Sequence, residues 1–226
     1  MSFLDTDVID NRAHDGLRVW HSADGKTFSG PNTIQASGLY SAYLPDVAAT
    51  ADRFTIFGVN KSSPTSTIAF SSVDGAEWTA DDPGSLRGRL ACLAQKADLT
   101  VRFTDPPSDD ELRPTAWRRT VRDHDWIASH DVTVGSLPDV NVGKPSEQQI
   151  RQVTAWQDSF VATGSSGNGG GVWLSRDAAR WERVPVKQNG FGDVANLSAF
   201  ANDTILLVAG NTTSSGIGPL KIWSAP

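Results

Sequence analysis

The sequence predicts an all-β fold assembled from a repeated antiparallel unit, and three observations carry that prediction. First, a Ser or Thr meets an acidic turn that closes on an aromatic four times: Ser22-Ala-Asp24-Gly25-Lys-Thr-Phe28, Ser72-Val-Asp74-Gly75-Ala-Glu-Trp78, Thr120-Val-Arg-Asp123-His-Asp-Trp126 and Ser175-Arg-Asp177-Ala-Ala-Arg-Trp181. A fifth copy begins at Ile222-Trp223-Ser224. Second, the Ser/Thr positions 22, 72, 120, 175 and 224 lie 50, 48, 55 and 49 residues apart, and self-similarity at such a period marks repeat architectures such as propellers. Third, the segments between the turns are short, rich in β-branched and aromatic residues and bounded by Gly, Pro, Asn and Asp, with no convincing helical period.

Each repeat reads as four strands in order. An irregular first strand leads through a polar turn into a second that ends in a small residue, as in Asp52-Arg-Phe54-Thr-Ile56-Phe-Gly58 and Asp158-Ser-Phe160-Val-Ala-Thr-Gly164. A third strand follows: Leu17-Arg-Val-Trp20, Ser66-Thr-Ile-Ala-Phe70, Thr115-Ala-Trp117, Gly171-Val-Trp173 and Leu220-Lys-Ile-Trp223. The acidic turn and a short fourth strand close the unit. Four antiparallel strands at this period make one propeller blade, and blades packed round an axis leave only short, protected edges. The expectation is a single β-propeller domain, 1–226, with units at 1–34, 36–80, 84–132, 146–185 and 188–226. Five four-stranded blades are expected, or an incomplete ring, because the first unit lacks early strands and the last lacks its fourth. Residues 1–13 are expected to pair with the sheet that holds Leu220–Ser224 or else to leave an open edge. Asp-Gly suggests a two-residue type I′ turn, with the carboxylate and hydroxyl satisfying turn amides. The closing Trp78, Trp126 and Trp181 are expected to be buried between blades.

These turns resemble the Asp-box, or BNR, repeat of sialidase-like propellers, usually written Ser/Thr-x-Asp-x-Gly-x-x-Trp/Phe, with one residue fewer before the aromatic. Arg122 stands where the third copy should have Asp, and the fourth copy lacks Gly. The resemblance implies that Ser22, Asp24, Gly25 and Phe28, Ser72, Asp74, Gly75 and Trp78, Thr120, Asp123 and Trp126, and Ser175, Asp177 and Trp181 are structural turn residues rather than catalytic ones. For sialidase-like enzymes it further implies an arginine triad, a Tyr nucleophile paired with Glu and an Asp acid/base. The only tyrosines, Tyr40 and Tyr43, read as packing residues.

Composition narrows the function classes. A net charge of −6 and 20 Lys+Arg against 26 Asp+Glu argue against nucleic acid. The longest apolar run, Ile205-Leu-Leu-Val-Ala209, is far shorter than the ~20 residues of a membrane-spanning helix, so no membrane insertion is expected. Met1-Ser-Phe-Leu-Asp-Thr-Asp has no signal-peptide character, which leaves a cytoplasmic location or a place in an extracellular or virion assembly. The lone Cys92 cannot form an internal disulfide. Asp123-His124-Asp125 with His130-Asp131 looks like a metal set on paper, but neighbours on a strand point to opposite faces, and neither metal nor cofactor is expected. The glycine-rich Gly164-Ser-Ser-Gly-Asn-Gly-Gly-Gly171 links two strands and opens no helix, so it is no phosphate cradle.

Two features remain for function. Trp20, Trp117, Trp173 and Trp223 recur near one third-strand position, which suggests packing first and a sugar-stacking platform second. The Pro- and Asp-rich stretches 105–114 and 131–145 are long loops of the kind that carry binding. The expected function is a non-catalytic protein-interaction module, a structural subunit of a bacterial or phage assembly with a protein partner. The alternatives are a glycan-binding, lectin-like propeller and, next, a glycosidase or polysaccharide lyase.

Overall fold

The computed structural model describes residues 3–5, 16–35, 46–50, 52–60, 62–81, 90–104, 114–120, 122, 125–129, 148–166, 169–185, 190–191, 194–202, 204–212 and 218–226. They form five antiparallel meanders, each running through its strands in chain order. The first holds β1 (Phe3–Asp5), β2 (Gly16–His21) and β3 (Ser29–Gln35). The second holds β4 (Asp46–Ala49), β5 (Phe54–Asn60), β6 (Ser63–Ser72) and β7 (Thr79–Asp81). Next come β8 (Leu90–Lys96), β9 (Leu99–Thr104), β10 (Thr115–Thr120) and β11 (Ile127–Ser129), then β12 (Gln148–Trp156), β13 (Ser159–Ser166), β14 (Gly169–Ser175) and β15 (Glu182–Arg183). The last holds β16 (Ala195–Ala201), β17 (Leu206–Asn211) and β18 (Leu220–Ala225). No described residue is helical.

Among the described residues the three middle sheets have four strands, whereas the first and last have three. Phe3, Leu4 and Asp5 pair with Trp20, Val19 and Arg18 of β2; the other residues assigned to ring closure, 1–2 and 6–13, lie outside the described residues. Among the described residues β18 is an edge strand; its Leu220 and Ile222 are exposed, as are Leu207 of β17 and Phe200 of β16.

The chain divides into two compact units, Met1–Leu90 and Ala91–Pro226. In the first unit, Leu17, Val19 and Ile34 of one sheet meet Ile56 and Phe70 of the next. In the second unit, alternation along β13 feeds two cores. Phe160 and Ala162 join Val101, Phe103, Trp173 and Trp181, while Val161 between them joins Val172, Leu197, Ala199 and Val208. A strand buried on both faces loses the polar alternation of a solvated sheet, which is why Ser159–Ser166 has Phe-Val-Ala at its centre.

The acidic turns share one hydrogen-bond scheme. Asp24 Oδ1 accepts from the Ser22 hydroxyl at 3.1 Å and from the Lys26 and Thr27 amides, both at 2.8 Å. Asp74 Oδ1 accepts from Ser72, Ala76 and Glu77 at 3.0, 2.8 and 3.0 Å. Asp177 Oδ1 accepts from Ser175, Ala179 and Arg180 at 3.3, 2.9 and 2.9 Å. The Gly25 and Gly75 amides donate back to Ser22 and Ser72 Oγ, both at 2.8 Å. This is not a two-residue type I′ hairpin, which needs positive φ at both central residues. Positive φ falls on one residue per turn, Gly25, Gly75 or Ala178, and the carboxylate organises the longer loop around it. In the third turn the Arg122 amide reaches Thr120 Oγ1 at 3.4 Å; Asp123 lies outside the described residues.

The closing aromatics differ in burial. Trp181 is 2% exposed and meets Phe103 edge-on with ring centroids 4.9 Å apart. Trp78 and Trp126 are half-buried, less deeply set than Trp181, and Phe28 is exposed. Trp126 instead carries the guanidinium of Arg102 3.5 Å and that of Arg119 4.7 Å from its ring centre.

Two expectations follow. Truncating Trp181→Ala removes a buried indole and should cost about 3–5 kcal/mol, read from urea unfolding; a loss below about 1 kcal/mol would remove Trp181 from the core. The three donors on Asp24 hold its carboxyl down at about 2, the Thr27 and Lys26 amides contributing most. A depressed folded-state value means that the turn's contribution is full above the unfolded carboxyl range near about pH 4 and is lost as pH falls through about 2. The melting-temperature gap between the wild type and Asp24→Asn should therefore be constant above about pH 5 and narrow below about pH 4. A gap independent of pH would exclude the charged turn.

Candidate functional site

The aromatics picked out as a ligand platform differ in burial. Trp173 is 1% exposed within the core and offers no free ring face. Trp223 is half-buried and packs edge-on against Phe191 at 4.8 Å. The half-buried Trp117 spends its Nε1–H on Thr104 Oγ1 at 3.0 Å. Trp20, also half-buried, lies on β2.

The cavity that stands out lies within the first unit, between β3 and the second acidic turn, with a volume of about 510 Å³. Ile34 and Phe70 are its buried floor, and Asn32, Gln35, Glu77 and Trp78 supply its chemistry. The local sequence builds each wall. Gly30 has φ +124°, and a Cβ there would sit 2.7 Å from the Val19 carbonyl oxygen; only glycine lets β3 approach β2 so closely. The register slips by one residue between Val19 and His21, and Asn32 pairs opposite Val19. On the other wall, Gly75 has φ +78°, and a Cβ would meet that of His21 at 3.0 Å. Trp78 Nε1–H donates to the Gly75 carbonyl at 3.0 Å, which pins the indole. Asp74 receives the Glu77 amide, fixing the backbone from which the exposed Glu77 projects.

Two polar atoms beside this cleft are shut from solvent without a hydrogen-bond partner, Asn32 Nδ2 and His21 Nδ1. Sequence reasoning singled out neither. Asn32 sits in Ser29–Gln35 among mostly exposed positions, and its surroundings depend on a Gly-Pro irregularity that no periodicity reveals. Glu77 and Trp78 were visible only as parts of a turn.

The electrostatics are one-sided. Asp24, Asp52, Asp74, Asp158 and Asp177 all have carboxyls held below the usual range. For Asp74 the Glu77 and Ala76 amides lead; for Asp177 burial pulls upward and the Arg180 and Ala179 amides outweigh it. Carboxyls held as anions accept hydrogen bonds but do not deliver protons as general acids. Half-buried Arg183 is pulled below its usual value by desolvation, its Nη2 reaching the Gly170 carbonyl at 3.4 Å. Among the described residues no three His, Cys, Asp or Glu side chains gather as a metal set. Of the paper cluster around His124 only Asp125 is described; Asp123, His124, His130 and Asp131 lie outside the described residues.

No family model matches this chain, and no curated protein matches it. Solved structures do. The GH93 α-L-arabinofuranosidase of Fusarium graminearum in complex with arabinobiose aligns over 92% of this chain and 66% of its own, at 14% identity and a TM-score of 0.50. A family 117 glycoside hydrolase of the marine bacterium Zobellia galactanivorans aligns over 79% and 64%, at 10% identity and a TM-score of 0.50. The acylaminoacyl peptidase of Pyrococcus horikoshii aligns over 92% and 29%, at 10% identity and a TM-score of 0.52. This chain thus spans less than two thirds of the second structure and under a third of the last. All three are enzymes, and two act on glycosides, which overturns the expectation of a non-catalytic assembly module that is not an enzyme. At these identities the likeness is one of fold alone, and the fold is all-β, built from antiparallel sheets of the propeller type.

Proposed function

We propose that this chain is a carbohydrate-active propeller of the glycoside hydrolase class, its five meanders being blades and its acidic turns divergent Asp boxes. The blade reading is supported by the one meander per repeat and by the common scheme in the turns at Asp24, Asp74 and Asp177. One observation carries the functional reading: the chain aligns over 92% of its length with an arabinofuranosidase in complex with arabinobiose. Its share of the peptidase, at 29%, is less than half its share of either glycosidase, at 66% and 64%, so the glycosidase comparison weighs more.

Glycoside hydrolysis uses two carboxyl groups, one of them protonated to assist the leaving group. Asp24, Asp74 and Asp177 are unsuited to that part because three donors stabilise each anion. They hold the hairpins, and the working acids lie elsewhere in the chain. The purified protein should release sugar from arabino-oligosaccharides or from a chromogenic α-L-arabinofuranoside, and Asp24→Asn should retain turnover within about twofold, a difference of under ~0.5 kcal/mol in barrier. Absence of hydrolysis across α-L-arabinofuranosides, arabinan and neutral galacto-oligosaccharides would overturn the reading.

A further inference from the structure

We infer that the cleft between β3 and the Ser72–Trp78 turn is a binding subsite for one neutral sugar unit of a glycan; this rests on the carbohydrate-active reading above. The cleft's volume of about 510 Å³ falls within the range of small-ligand sites, about 300–1,000 Å³. Among the described residues its lining includes no lysine or arginine, so phosphate, sulfate and uronate groups find no counter-charge there, and Glu77 repels them. What the lining offers is an indole, side-chain amides at Asn32 and Gln35, and one carboxylate acceptor. A sugar ring matches that set, because its C–H face packs on an aromatic ring while its hydroxyls both donate and accept.

Two features point to an occupant. Asn32 Nδ2 has no acceptor, and an unpaired buried donor is costly. Asn32 lines the cleft and its terminal amide torsion is broad and soft, so a ligand hydroxyl bound there would give this donor an acceptor. Trp78 is already oriented: its Nε1–H is committed to Gly75, and the half-buried ring keeps part of its surface for a ligand. Glu77, anchored through its amide to Asp74, stands exposed as the acceptor for sugar hydroxyls. The turn thereby acts as a preformed support for the subsite, and binding needs little ordering of the protein.

The test titrates the whole chain with arabinobiose, xylobiose, cellobiose and galactobiose, and with a digalacturonate as charged control, following tryptophan fluorescence and calorimetric heat. At least one neutral disaccharide should bind, with the digalacturonate about tenfold weaker or worse. Glu77→Ala and Asn32→Ala should each weaken the neutral sugar about tenfold while keeping the wild-type circular dichroism. Trp78→Ala should abolish binding; if it fails to fold, the two polar variants decide. Binding by no neutral disaccharide, or wild-type affinity in both polar variants, overturns the subsite. Hydrolysis with unchanged KM and affinity in Glu77→Ala and Asn32→Ala sinks the subsite and leaves the glycosidase reading standing. Binding lost in those variants, with no turnover by the wild type, keeps the subsite and sinks the glycosidase reading.

Discussion

A single carboxylate oxygen, taking one hydroxyl and two amide donors, holds each of the three acidic turns whose aspartate is described. The loop amides would otherwise be without partners, and the two flanking strands would be free to splay. Because the acceptor is charged, each of these bonds is stronger than a neutral equivalent, and the same bonds keep the carboxyl ionised. The arrangement fixes where the next residues go. In the second turn it sets the Glu77 backbone and the Gly75 carbonyl that holds Trp78, so the cleft in the first unit inherits its shape from Asp74.

That dependence separates two roles that sequence motifs tend to merge. The aspartates are the most conspicuous acids in the chain, yet their environment suits them to holding backbone. The residues that face open space beside them, Glu77 and Trp78, follow from the turn. Packing makes the same distinction among the tryptophans: Trp173 and Trp181 fill the core of the second unit, while Trp78 keeps part of its ring at a surface.

Much of the fold was legible because its signals are local. Phe54–Gly58, Ser66–Phe70, Phe160–Gly164 and Gly171–Trp173 fall within β5, β6, β13 and β14, since alternation and Gly punctuation are read over a few residues. The turn carboxylates were legible for the same reason. The turn class was not, because φ at the residue before the loop Gly leaves no trace in composition, and Ala178 adopts positive φ without a glycine to announce it. The cleft was illegible for a different cause. It joins β3 to residues more than forty positions later, and its polar edge depends on a register slip between Val19 and His21. Equal motifs also hid unequal burial, since Trp181 and Trp78 occupy the same place in the repeat but face different neighbours.

The span of each turn bears on how the chain folds. Every bond in these loops joins residues two or three apart, so closing one costs little loop entropy, while the sheet-to-sheet cores must wait for distant strands to meet. Local contacts form early and long-range ones slowly. Each Ser-x-Asp turn can therefore set its hairpin as soon as that stretch is free to move, and the cores then assemble from strand pairs whose register is already chosen.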